Sequence, residues 1–95
     1  MKQPIVYIVA NKTNGTLYVG VTSDLIKRIY EHKEGLIEGF TKTYGCKFLV
    51  FYESHPTMES AILREKQIKD GSRKKKLYLI EGMNSSWKDL YEDLY

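Results

Sequence analysis

Two short apolar runs, and the turn between them, constrain this chain more than any other feature. Ile5-Val6-Tyr7-Ile8-Val9 is rich in β-branched residues and unbroken by charge, so it reads as a strand covered on both faces. Asn14-Gly15 follows, a pair suited to the positive φ angles of a hairpin turn. Leu17-Tyr18-Val19-Gly20-Val21 then reads as a second strand, and two strands so close in sequence pair antiparallel. Within the second run, Tyr18 and Gly20 point one way while Leu17, Val19 and Val21 point the other. A tyrosine and a bare backbone thus face away from a wholly apolar side. Glycine inside a strand weakens it and often marks a close approach by a ligand or another backbone. Whether Tyr7 shares the face of Tyr18 depends on register. A loop of two, four or six residues puts them on one face, an odd loop does not, and the sequence leaves both open.

The rest of the chain supplies helices and one more strand. Thr22-Ser23-Asp24 offers N-caps for a helix over 24–34, with Leu25, Ile26, Ile29 and Tyr30 as its apolar stripe and Gly35 as its stop. A short helix is expected within 36–45, ending near Gly45. Lys47 to Tyr52 reads as a third strand. Pro56-Thr57 opens a helix over 57–70 closed by Gly71, and residues 73–81 form a further short helix closed by Gly82. The tail from Asn84 to Tyr95 reads as a loop and then a helical turn or two through Trp87, Leu90, Tyr91 and Leu94. This order predicts an α/β (α+β) fold: a small three-stranded, mostly antiparallel sheet flanked by helices, with 1–95 as one domain.

Several function classes drop out early. Cys46 is the sole cysteine, so no internal disulfide forms, which fits a reducing compartment such as the cytoplasm. No apolar run approaches the ~20 residues of a membrane span. Met1-Lys2-Gln3-Pro4 leads straight into a strand-like run, without the pattern of a signal peptide. There is no Cys/His cluster spaced for zinc and no Gly-rich phosphate loop. Net charge is only +3 but unevenly placed: residues 64–76 hold seven Lys/Arg against two Asp/Glu. Such a run is either a solvated helix face or a phosphate-binding surface.

Two helices carry residues that packing does not explain. On 57–70 the apolar positions are Met58, Ala61, Ile62 and Ile68. Glu65 is seven after Met58, four after Ala61 and three before Ile68, in the middle of that stripe. A carboxylate there is costly unless something positive meets it: a neighbouring Lys or Arg, or a metal. Magnesium keeps most of its waters and often takes only one or two carboxylates, so one Glu suffices. On 24–34, Arg28 and His32 are four apart and share a face. They are either solvated side chains whose stems cover the core, or a phosphate clamp beside a proton carrier.

Together these positions resemble the GIY-YIG nuclease superfamily, most of all its short bacterial proteins consisting of this domain alone. The first motif is Ile5-Val6-Tyr7, the second Tyr18-Val19-Gly20. The family's arginine corresponds to Arg28, its histidine to His32, and its metal-binding glutamate to Glu65, in the run Leu63 to Lys69. The downstream asparagine corresponds to Asn84. The combination is specific: two Tyr motifs eleven residues apart, then Leu-x-x-Arg-x-x-x-His, then Arg-Glu-Lys-x-Ile-Lys. Two positions depart from the pattern. The first motif lacks its Gly, and Ser85 stands where proline usually follows the asparagine.

The resemblance implies metal-dependent hydrolysis of a phosphodiester in nucleic acid, DNA first, in DNA repair or maintenance, with one Mg2+ or Mn2+ held by Glu65. Arg28 would stabilise charge on the phosphoryl oxygens, while Tyr7, Tyr18 and His32 would position or deprotonate the attacking water. An unperturbed Tyr titrates near ~10, so a Tyr base needs a pKa lowered by Arg28 or the metal; which of the three is the base stays open. Asn84 completes the six positions. Lys66, Lys69, Arg73, Lys74, Lys75 and Lys76 are the expected nucleic-acid contacts. Sequence recognition would come from a protein partner, since nothing in the chain reads as a specificity domain. The rival reading is a nucleic-acid-binding accessory domain without catalysis, in which Glu65 only completes an ion pair.

Overall fold

The structure, a computed structural model, describes residues 2–95; Met1, at the head of the run expected to lead into the first strand, lies outside the described residues. β1 (Ile5–Ala10) and β2 (Leu17–Thr22) form the expected hairpin. Their pairing sets Tyr7 opposite Gly20 and Ala10 opposite Leu17, leaving the six residues 11–16 as the loop. Asn14 takes the positive φ, 56°. Asn11 closes the loop twice: its N–H donates to the Thr16 carbonyl at 3.3 Å, and its Oδ1 accepts from the Thr16 N–H at 2.9 Å. An even loop puts Tyr7 and Tyr18 on one face.

β3 (Phe48–Ser54) pairs antiparallel with β1, giving the order β2-β1-β3 with β1 in the centre and a register shift at Ile8/Val9. Helix α1 (Leu25–Lys33) begins where Asp24 accepts from the Lys27 N–H, and the five-residue α2 (Phe40–Tyr44) ends on the left-handed Gly45. Helices α3 (Met58–Asp70) and α4 (Arg73–Met83) are capped by the side chains of Thr57 and Ser72. A 3-10 helix follows at Leu90–Leu94. Gly82, expected to end α4, lies inside it; the C-cap is Asn84. A helical glycine is disfavoured by only about 1 kcal/mol against alanine, so one glycine does not stop a helix already capped and packed.

The central strand separates two cores. On one face Val6, Ile8 and Ala10 meet Val19, Ala61 and Ile68 of α3, Ile80 of α4, and Trp87. On the other, Tyr7 and Val9 meet Leu25 and Ile29 of α1, Cys46 and Leu49, with Leu90, Tyr91 and Leu94 packed alongside. Ile62, expected in the apolar stripe of α3, is 39% exposed. The buried stripe runs through Ala61 and Ile68, with Met58 packed beside it and Glu65 between them. No helix among the described residues is long and apolar enough to cross a membrane.

Candidate active site

The face that carries α1 is not purely apolar. Tyr7 is fully buried, and a phenol removed from water needs a partner for its hydroxyl. It finds His32, whose Nε2 lies 2.8 Å from the Tyr7 oxygen. The other ring nitrogen, Nδ1, is 3.1 Å from Thr41 Oγ1. Both His32 and Thr41 are buried, so the three side chains form a closed polar chain inside an otherwise apolar layer. Gly20 makes room for it: a Cβ there would lie 2.5 Å from Cζ and the hydroxyl of Tyr7. The close approach at Gly20, expected of a ligand or another backbone, is instead made by a side chain, the Tyr7 ring, crossing the edge strand β2.

Around this chain stand the other expected residues. The Tyr18 ring meets His32 edge-on, centroids 6.0 Å apart, and stacks on Phe40 of α2. Arg28, one turn before His32, is near enough to bear on both Tyr7 and His32 and itself pairs with Glu31 at 3.5 Å. Glu65 approaches from α3. Its side chain is only 14% exposed, and its Oε2 lies 3.1 Å from the ammonium of Lys69 one turn on. The same ammonium sits 5.5 Å from the centre of the Tyr18 ring, so Lys69 links Glu65 to the tyrosine side of the site. A hollow of about 300 Å³ opens there, bordered by Tyr18, Phe40, Lys69 and Lys76.

Burial governs the titration of the buried pair. It pushes Tyr7 up to about 12, with Tyr18 and Glu65 adding to the rise and Arg28 opposing it. It pushes His32 down to about 4, helped by the positive charge of Arg28 and opposed by Glu31. At neutral pH the pair is therefore a neutral phenol against a neutral imidazole. The lowered tyrosine pKa expected from Arg28 is overridden, because desolvation of the phenolate outweighs one partly solvated guanidinium.

The remaining expected residues are placed differently. Asn84 spends its hydrogen bonds on backbone: Nδ2 donates to the carbonyls of Val50 and Lys88, and Oδ1 accepts from the Lys88 N–H. It ties the end of α4 to β3. Arg73 donates to the carbonyls of Asn14 and Gly15, both at 2.8 Å, bracing the hairpin loop. Lys76 donates to the carbonyls of Lys69 and Gly71. Lys66, Lys74 and Lys75 are exposed. Thr41 was not legible as part of the site; its only signal was a hydroxyl in the short helix after His32. The larger hollow, about 490 Å³ between α3 and α4, is lined by Ile68, Tyr78 and Leu79 with Arg64 and Lys74 to Lys76, and neither Tyr7 nor His32 borders it.

The model of the GIY-YIG catalytic domain matches residues 3–78. The chain belongs to the GIY-YIG family. It has the family's nuclease-type fold, and membership points to endonuclease chemistry on nucleic acid with a divalent metal. Asn84 lies beyond the matched region. Among relatives, a UPF0213 protein of Staphylococcus saprophyticus is 41% identical over 80 residues, covering 84% of this chain and 96% of the relative. A UPF0213 protein of Staphylococcus aureus is 37% identical over 81 residues, covering 85% and 98%. The solution NMR structure of a UPF0213 protein from Bacillus halodurans is 30% identical, covers 92% of each chain and superposes with a TM-score of 0.57.

Proposed function

We propose that the protein hydrolyses phosphodiester bonds in nucleic acid, DNA first, at the site around Tyr7, Tyr18, Arg28, His32 and Glu65. The observation that carries this reading is the buried Tyr7–His32 hydrogen bond beside a sheltered carboxylate. Glu65 would hold one Mg2+ or Mn2+. Among the described residues no three His, Cys, Asp or Glu side chains converge, so the site fits an ion that takes a single protein carboxylate and fills its shell from water and substrate phosphate. Bound there, the ion supplies Lewis-acid stabilisation of the phosphoryl group.

The protein's own groups divide the remaining work. His32 is kept neutral at pH 7 by burial and can accept a proton at Nε2 while Nδ1–H donates to Thr41. A tyrosine raised to about 12 does not act as a free phenolate. Tyr7, fully buried in the free protein, would instead relay once substrate brings the attacking water to it: its hydroxyl passes a proton to His32 Nε2 as its oxygen takes one from that water. Arg28 neutralises charge growing on the phosphoryl oxygens. Tyr18 walls the adjoining hollow and orients the imidazole. Exposed Lys66, Lys74 and Lys75 bring the backbone of the nucleic acid to the site, and sequence selection falls to a protein partner.

The Glu65–Lys69 pair favours a second reading, a nucleic-acid-binding domain in which Glu65 is structural. A cleavage assay on duplex, branched and single-stranded DNA, with and without Mg2+, decides between them. Divalent-dependent cleavage by the wild type and none by Glu65→Ala supports hydrolysis. Binding without cleavage on every substrate supports the second reading.

A further inference from the structure

Lys69 stands out because it occupies the place where a metal ion would be needed. Its ammonium lies 3.1 Å from Glu65 Oε2, and the carboxylate is sheltered enough that a counter-cation matters to it. The lysine itself is 46% exposed. Its ammonium is also held over the face of Tyr18, a contact that favours a cation. Its side chain already borders the hollow beside Tyr18, Phe40 and Lys76, so a phosphate entering there meets Lys69 directly.

We propose that Lys69 is the resident cation of Glu65, which a divalent ion displaces and which then serves the phosphate of the incoming strand. The inference rests on the reading of Glu65 as the metal carboxylate. The consequence is coupling. A dication and an ammonium repel one another at one carboxylate, so the free protein binds metal weakly. A phosphate that draws Lys69 off Glu65 strengthens metal binding, and by linkage the metal strengthens phosphate binding equally. The site thereby holds metal firmly only once nucleic acid arrives.

The test needs no cleavage. Mn2+ affinity of the free protein is measured by electron paramagnetic resonance for the wild type, Lys69→Met, Lys69→Arg, Glu65→Gln and Lys27→Met. Melting curves confirm folding of each variant. Lys69→Met is expected to tighten Mn2+ binding at least about fivefold, the low end for coupled sites. Lys69→Arg should stay near wild type, because it restores the cation. Lys27→Met, which removes one exposed charge from α1, should change little, since exposed charges are screened by salt. Glu65→Gln should abolish binding. If Glu65→Gln abolishes binding but Lys69→Met leaves it unchanged or weaker, the role of Lys69 is overturned and Glu65 stands. If Mn2+ binds Glu65→Gln as well as wild type, the metal reading of Glu65 itself falls.

Discussion

The two faces of the central strand are built by different rules. Val6, Ile8 and Ala10 project onto α3 and α4 into a layer of aliphatic side chains and Trp87. One residue out of phase, Tyr7 projects into a layer that also holds buried His32 and Thr41, linked through its hydroxyl. The first face is a problem of volume and is solved by packing. The second is a problem of satisfaction, in which every buried polar atom must have a partner. That polar chain ties three elements together, Tyr7 of β1 to His32 of α1 and His32 to Thr41 of α2.

The largest effect that can test this contrast is on the apolar face. Ile8→Ala should cost about 2–5 kcal/mol in a denaturant melt; a loss under about 1 kcal/mol would mean that this face is not the chief support of the fold. Next comes acid sensitivity on the polar face. His32 is held near 4 in the folded chain against 6.5 as its ordinary value, so the unfolded chain binds the extra proton between those pH values. The stability from keeping His32 neutral is intact above about pH 6.5 and lost as pH falls toward 4, by on the order of 3 kcal/mol. His32→Gln should flatten that part of the stability–pH curve, and an unchanged slope would place the titration elsewhere.

Two glycines give a smaller and sharper contrast. Gly20→Ala sets a methyl 2.5 Å from the Tyr7 ring and should cost about 1–3 kcal/mol, with loss of cleavage as Tyr7 is pushed from His32. Gly82→Ala meets nothing within 4 Å and lies inside α4. It should stabilise by about 0.5–1 kcal/mol and leave cleavage alone. Equal effects at the two positions would deny Gly20 its special place.

Much of this was legible in the sequence. The apolar runs, β-branched in the first strand and largely aromatic in the third, gave the three strands within a residue or two. Asn14-Gly15 gave the hairpin, and Gly45 marked the end of α2 by its left-handed conformation. The register was not legible, because even and odd loops alike can be built around the same turn pair. It was decided by Asn11 bridging to Thr16. The charge run at 64–76 looked uniform by composition, yet Arg73 and Lys76 are engaged with backbone carbonyls and Lys69 with a carboxylate. Composition cannot tell a free cation from one already used. Thr41 joins His32 across a loop of no periodicity, so no pattern links them before the fold does.

Glu65 separates the two readings most sharply, since a carboxylate on an apolar stripe has either a chemical or a structural reason to be there. Glu65→Gln keeps the shape and removes the charge. Its pairing lysine is half in solvent and rehydrates easily when the pair is broken, as at surface ion pairs. The measurement is a denaturant melt and a DNA-cleavage assay on wild type and Glu65→Gln, each with and without Mg2+. Stability in metal-free buffer is expected to stay within about 0.5 kcal/mol, while cleavage and any stabilisation by Mg2+ disappear. A loss of roughly 3–5 kcal/mol, the penalty for stranding a buried partner, together with retained cleavage would contradict the assignment of Glu65 as the metal-binding residue.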